Sequence, residues 1–219
     1  MTSADPYRRR RAAGAASRQA TRQRLLTAAD TLFRKQGYPA TTVAAIAELA
    51  DVSLQTLYLA WGNKRALLRA ASQAALAASD TPVEPDQWRA TVDAELAAND
   101  HEATARSYLA AVSTLFVRVA ERTSDYWQLQ RDAAATDPEV AADWHEIDAE
   151  RRRTMAVVAP HIPADGLRPG LEPEYVVDTL WCLASPQTFH LMCVDGDMGV
   201  PAYRAWLEQT LVNALCRPA

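Results

Sequence analysis

Residues 43–61, VAAIAELADVSLQTLYLAW, set the tightest constraint on how this chain can fold. Two apolar-periodic segments, each too short to be a stable helix alone, are separated by only a few residues. They must bury their faces against each other. The first segment needs a small side chain where the second crosses it, and Ala47 supplies one. Four positions later the turn needs a residue that enters the left-handed region. Asp51 stands there, and Asp does so more readily than most residues. Val52 follows as the apolar pin of the turn, and Leu57 is placed to bury the second segment on the first. The pattern reads as a helix-turn-helix.

The remainder is also helical in pattern. Glycine is scarce, Ala and Leu abound and β-branched runs are short, so the fold class expected is all-α. Leu25, Leu26, Ala29, Leu32 and Phe33 recur at three- and four-residue steps in a helix that starts at Arg18. KQGYPATT ends it: Gly37 fits the left-handed position after a helix, and Pro39 forbids continuation. Thr41 or Thr42 is placed to cap the next helix, Ser53 the one after, and Asn63 a fourth over 64–79. SDTPVEPD (79–86) is the one linker in the middle of the chain. Beyond it the pattern gives helices near 86–98, 103–123, 124–135, 138–160, 174–194 and 201–216, with Pro186 kinking or restarting the penultimate one.

Charge is unevenly spread. The net charge is −4, yet residues 1–80 hold twelve Lys/Arg against five Asp/Glu, +7, which leaves −11 for the rest. A basic first third on an acidic body points to a polyanion partner for the first third alone. The Arg8–Arg11 run has two readings: an arm that enters the minor groove or follows phosphates, or a solubilising tail. No stretch of about 18 apolar residues exists, and MTSADPYRRRRAAG lacks the apolar core of a secretion signal, so a cytoplasmic protein without membrane contact is expected. Cys182, Cys193 and Cys216 have no metal spacing and read as free, buried thiols.

Residues 41–68, TTVAAIAELADVSLQTLYLAWGNKRALL, resemble the DNA-binding signature of the TetR family of transcriptional regulators. The matching positions are Thr42, Val43, Ile46, Ala47, Ala50, Val52, Ser53, Thr56, Leu57, Tyr58, Lys64, Leu67 and Leu68. The upstream LLTAADTLFRKQGYPATT is similar to that family's first helix and its glycine-aromatic ending. LWCLASPQTFHLM and AYRAWLEQTLVNAL are similar to the last two helices of one branch. Trp61 stands where Phe is usual and Asp51 where Gly is usual. The resulting layout is a flexible basic arm (1–17), a three-helix DNA-binding domain (18–64) with a connecting helix (64–79), and a larger helical ligand-binding and dimerisation domain (80–219). The resemblance implies a small-molecule effector, apolar or amphipathic, held in the larger domain. Its binding would change the separation of two reading heads and release DNA, through different affinities for two dimer conformations.

A helix lying in the major groove should bury Leu57 and offer the groove its other side. Gln55 and Thr56 come early in the helix, where base edges are reached first. Gln pairs with adenine in bidentate fashion, Thr reaches a thymine methyl or a phosphate, and Leu54 or Leu59 packs on a thymine methyl. Ser53 and Asn63, which flank this helix, are also expected among the DNA contacts. Tyr58, Lys64 and Thr42, the last at a helix N-terminus, are placed for phosphates that orient without reading sequence. Such heads work as twofold dimers on inverted-repeat, double-stranded operators, with half-sites roughly 34–36 Å apart.

Two apolar stripes were available for the homodimer: Tyr203, Leu207, Leu211 and Leu215, and Val177, Leu180, Ala184 and Leu191. Together they would make a four-helix bundle, or else serve as internal core. Tyr108, Phe116, Trp127, Trp144, Trp181 and Phe189 are bulky residues that line a cavity or fill core, and Gln130, His145 and His190 are polar groups placed to orient a ligand. Enzymatic readings fail on spacing. WHEIDAERRR has Ala149 where a second metal-binding His would stand, and ERRR (150–153) reads as a solvated face with an internal ion pair. His190 and Cys193 lie one turn apart without an orienting acid. No cofactor is called for. The expected function is a DNA-binding repressor released by its effector. The competitors are a regulator of the same build acting as activator or ligand-dependent co-repressor, and a helical protein-interaction module.

Overall fold

The computed structural model describes residues 6–77, 85–98 and 104–218; residues 1–5 of the expected arm and 78–84, the end of the expected connecting helix and most of the expected linker, lie outside them. Among the described residues ten α-helices follow in chain order: α1 Pro6–Ala40, α2 Val43–Leu49, α3 Leu54–Trp61, α4 Lys64–Ala77, α5 Pro85–Ala98, α6 Ala105–Ala134, α7 Pro138–Val158, α8 Pro173–Leu183, α9 Pro186–Phe189 and α10 Val200–Leu215. There is no strand among the described residues beyond one isolated bridge between Leu167 and Cys216. The chain divides into two compact units, Met1–Ala74 and Ala75–Ala219, with the division inside α4.

In the first unit α1 begins at Pro6, so the stretch expected as a flexible arm is helical over most of its length. Ala12, Ala13, Ala15, Ala16 and the arginines are strong helix formers. The missing apolar periodicity meant only that this stretch buries no face; residues 15–20 are all exposed. The helix breaks at Gly37, whose φ of 77° and ψ of 167° lie outside the left-handed helical well expected for it, in a region essentially reserved for glycine. Leu25, Ala29 and Phe33 of α1, Ile46 of α2, Leu57 of α3 and Leu67 of α4 are fully buried, and α1, α2 and α3 pack on one another.

The second unit is built around α6. The sequence suggested a break near residue 124, but the helix runs unbroken. Thr123 returns its hydroxyl to the Val119 carbonyl at 3.0 Å, which lets a buried polar residue sit inside a helix. The α8 helix stops at Leu183, and Ser185 caps α9 through the Thr188 N–H at 3.0 Å with Pro186 in the first turn. Proline therefore restarts the helix, and α9 passes into a π-helical turn over His190–Asp195.

The stripes assigned to dimerisation need correcting. Tyr203, Leu207, Leu211 and Leu215 of α10, with Val177, Leu180 and Ala184 of α8, are buried in the protomer's own core, and only Leu191 is exposed. The most apolar stripe of an amphipathic helix is taken first by its own domain. Large apolar side chains left outside in this region are Tyr175, Leu191 and Val194. The thiols also differ from expectation: Cys216 is buried, Cys193 half-buried and Cys182 exposed.

Candidate nucleic-acid interface

Helices α2 and α3 bend by 104° across their turn, within the range of helix-turn-helix pairs. Asp51 makes that turn at φ 52°, the left-handed conformation its position required. Its N–H donates to the Glu48 carbonyl and that of Val52 to the Ala47 carbonyl, both at 3.0 Å, so the turn is closed by backbone alone. Thr42 caps α2 by accepting from the Ala45 N–H at 3.1 Å. Ser53 caps α3 by accepting from the Thr56 N–H at 3.1 Å, and the two hydroxyls lie 2.8 Å apart. Asn63 caps α4 through the Ala66 N–H at 2.8 Å. With Leu57 fully buried, α3 turns Leu54, Gln55, Tyr58 and Leu59 outward; Leu59 is 83% exposed. These four occupy positions i, i+1, i+4 and i+5, a single stripe of the helix.

Two cations counted toward the polyanion partner are engaged inside the unit. Lys64 donates from Nζ to the Tyr38 and Thr41 carbonyls at 2.8 and 2.9 Å, with Nζ 3.9 Å from the centre of the Tyr38 ring. Its first duty is to tie α4 to the end of α1. Arg22 lies 3.8 Å over the Trp61 ring and donates to the Ala60 carbonyl, and the Trp61 indole N–H donates to the Arg22 carbonyl at 3.2 Å. Sequence reasoning missed Arg22; a cation one α1 turn before the apolar stripe, facing an unusual Trp61, was the available signal.

Residues 25–71 match the family described as bacterial regulatory proteins, tetR family. Residues 25–71 are a TetR-family DNA-binding domain. The match covers the helix-turn-helix together with the helices on either side of it. The comparison with curated proteins finds no match. Among solved structures, the complex of SmeT with triclosan is 18% identical, covers 91% of this chain and 93% of its own, and superposes with a TM-score of 0.66. NalD of Pseudomonas aeruginosa, the secondary repressor of the MexAB-OprM multidrug efflux pump, is 17% identical over 92% of this chain and all of its own, also at 0.66. A transcriptional regulator from Aquifex aeolicus VF5 is 17% identical over 87% and 97%, at 0.58. At these identities the likeness is one of TetR-type fold.

The residues expected at a ligand divide into separate groups in this TetR-type second unit. Trp88 stacks on Phe116 at 5.3 Å, and Phe189 meets Tyr203 edge-on at 5.3 Å; both pairs are core. Tyr108 is buried, its hydroxyl donating to the Val158 carbonyl at 3.3 Å, and burial lifts its pKa to about 12. His145 of α7 is exposed. Trp127 meets Trp144 edge-on at 4.7 Å, and Arg151 reaches both the Trp127 and Trp181 rings, at 5.5 and 5.2 Å. Arg151 thus leaves the solvated face assigned to ERRR, while Arg152 and Arg153 stay outside in exposed pairs with Asp178 and Glu150. Asp195 lies 3.7 Å from His190, an acid the sequence reading had not placed there. Burial raises the Cys193 thiol, the reverse of what a nucleophile needs.

Proposed function

We propose that this regulator is a cytoplasmic repressor that binds an inverted-repeat operator as a homodimer and leaves it when a small apolar or amphipathic molecule occupies the second unit. The observation that carries the reading is the outward stripe of α3. Leu54, Gln55, Tyr58 and Leu59 are exposed on a helix held by a buried Leu57, at the 104° bend of a helix-turn-helix. An apolar residue as open as Leu59 is unfavourable in water and useful against thymine methyls. Gln55 adds an adenine reader, and Thr42 and Tyr58 stand where phosphates pass. Ser53 and Thr56 hold the start of the reading helix, Asn63 caps the following α4, and Lys64 adds charge beside the DNA backbone while holding α1.

A single head reads only a few base pairs, so a second copy is needed for an operator of useful length. Tyr175, Leu191 and Val194 are the exposed apolar side chains of the second unit that a partner copy would cover. Release by a small molecule is supported by two structural neighbours, SmeT in its complex with triclosan and NalD, a repressor of a multidrug efflux pump. Selection of bound duplexes from a random pool tests the whole reading. Inverted repeats should be enriched, and repeating the selection with a metabolite panel should abolish enrichment for the effector. A pool that yields no inverted repeat overturns it.

A further inference from the structure

Helices α6, α7 and α8 bring three indoles and one guanidinium together. Arg151 has a side chain only 11% exposed, and its charge is answered by Asp148 at a loose 3.5 Å. Its Nη1 donates to the Trp181 carbonyl at 2.6 Å, which fixes the plane of the fork. Burial holds its pKa down at about 10, against the pull of Asp148, so it stays charged at neutral pH while poorly solvated. Two donors in this cluster, Arg151 Nε and the Trp181 indole N–H, are buried without an acceptor, as is the acceptor Asp148 Oδ1 without a donor within hydrogen-bond geometry. Leaving one such donor unpaired costs about 1–3 kcal/mol, and this cluster leaves two on neighbouring side chains. Trp127, Trp144 and Trp181 are each only half-buried, so part of each side chain reaches solvent.

We infer that this junction of Trp127, Trp144, Arg151 and Trp181 is a binding site for an aromatic acid: a planar ring system lying against the indoles, with a carboxylate that accepts from Arg151 Nε and Trp181 Nε1. The donor set selects an acceptor. Asp148, 3.5 Å away, answers part of the Arg151 charge, and the part left desolvated selects an anion over a neutral oxygen. The indole faces select a flat apolar body. The site rests on the reading of the second unit as the effector domain, and it names the effector's chemical class.

The full chain labelled with [15N]Trp serves as the test, with 2-naphthoate as probe and 2-naphthylmethylammonium as its control of opposite charge. The Trp181 indole cross-peak, assigned through Trp181→Phe, should move saturably with 2-naphthoate. The ammonium analogue should bind at least tenfold more weakly. Arg151→Met should lose the response, and Trp181→Phe, which keeps a ring but no donor, should weaken calorimetric binding about tenfold. Circular dichroism of both variants confirms that they fold. Equal binding of the two probes, or a Trp181 signal that does not move, overturns the site. So does a signal that moves with protein concentration alone, because a second copy would then supply the acceptor. If 2-naphthoate binds but leaves operator occupancy unchanged, the site stands and the effector-release reading falls.

Discussion

Lys64 Nζ donates to the Tyr38 carbonyl at 2.8 Å and lies 3.9 Å from the centre of the ring of the same residue. One ammonium thereby satisfies a carbonyl in the chain after the Gly37 break and locks the start of α4 onto the end of α1. A charge-assisted hydrogen bond contributes about 1.5–3 kcal/mol and a cation–π contact about 0.5–1. Lys64→Met should therefore lower the stability of the first unit by about 2 kcal/mol and move its thermal transition down by several degrees. An unchanged melting temperature would mean that Lys64 serves DNA alone.

Leu59 is the opposite case. It is 83% exposed, so Leu59→Ala should leave the melting temperature within about a degree. Operator affinity should fall about fourfold, the value of roughly one buried methyl group. Replacing thymine by uracil in the half-site should weaken the wild-type complex by a similar factor and leave the Leu59→Ala complex unaffected. Additive losses from the two changes would show that Leu59 packs elsewhere.

Those two residues mark what was legible in the sequence. The helix-turn-helix could be read because its requirements are local: Ala47, Asp51, Val52, Ser53 and Leu57 each answer a need set within a few positions, and all stand as read. Lys64 was read as a phosphate ligand because its acceptors, Tyr38 and Thr41, lie more than twenty residues upstream, beyond any local pattern. The stripe of Tyr203, Leu207, Leu211 and Leu215 was correctly apolar, but periodicity tells only that a face is buried, not whether the domain or a partner covers it. Arg151 was hidden for a similar reason. In ERRR the three arginines are alike, and only the packing of α7 against α6 and α8 turns one of them inward.

Asp51 adopts φ 52° where glycine would carry no Cβ strain. Asp51→Gly should stabilise the first unit, by about 0.5–1 kcal/mol after allowance for the greater freedom of the unfolded chain. Asp51→Val should destabilise it by more than that, because a β-branched side chain is disfavoured at positive φ. Chemical denaturation of the three proteins gives the order directly. A Gly variant less stable than wild type would show that the Asp51 carboxylate contributes more than its backbone angle takes away.

Tyr108 ties α6 to the end of α7 through its hydroxyl, which donates to the Val158 carbonyl at 3.3 Å, and its pKa is lifted from 10.0 to about 12, first by burial and then by Asp93. The neutral phenol is therefore favoured in the folded state. Its contribution is fully present below pH 10 and is lost as pH rises from 10 toward 12, when the unfolded chain ionises first. A two-unit shift corresponds to at most about 3 kcal/mol. Tyr203, buried and lifted in the same direction, adds to the effect. Tyrosinate absorbance near 295 nm should rise for these groups together with loss of helical ellipticity. Tyr108→Phe should start less stable at pH 8, lacking the hydrogen bond, and should lose less on going to pH 11. Parallel alkaline curves for the two proteins would remove Tyr108 from the explanation.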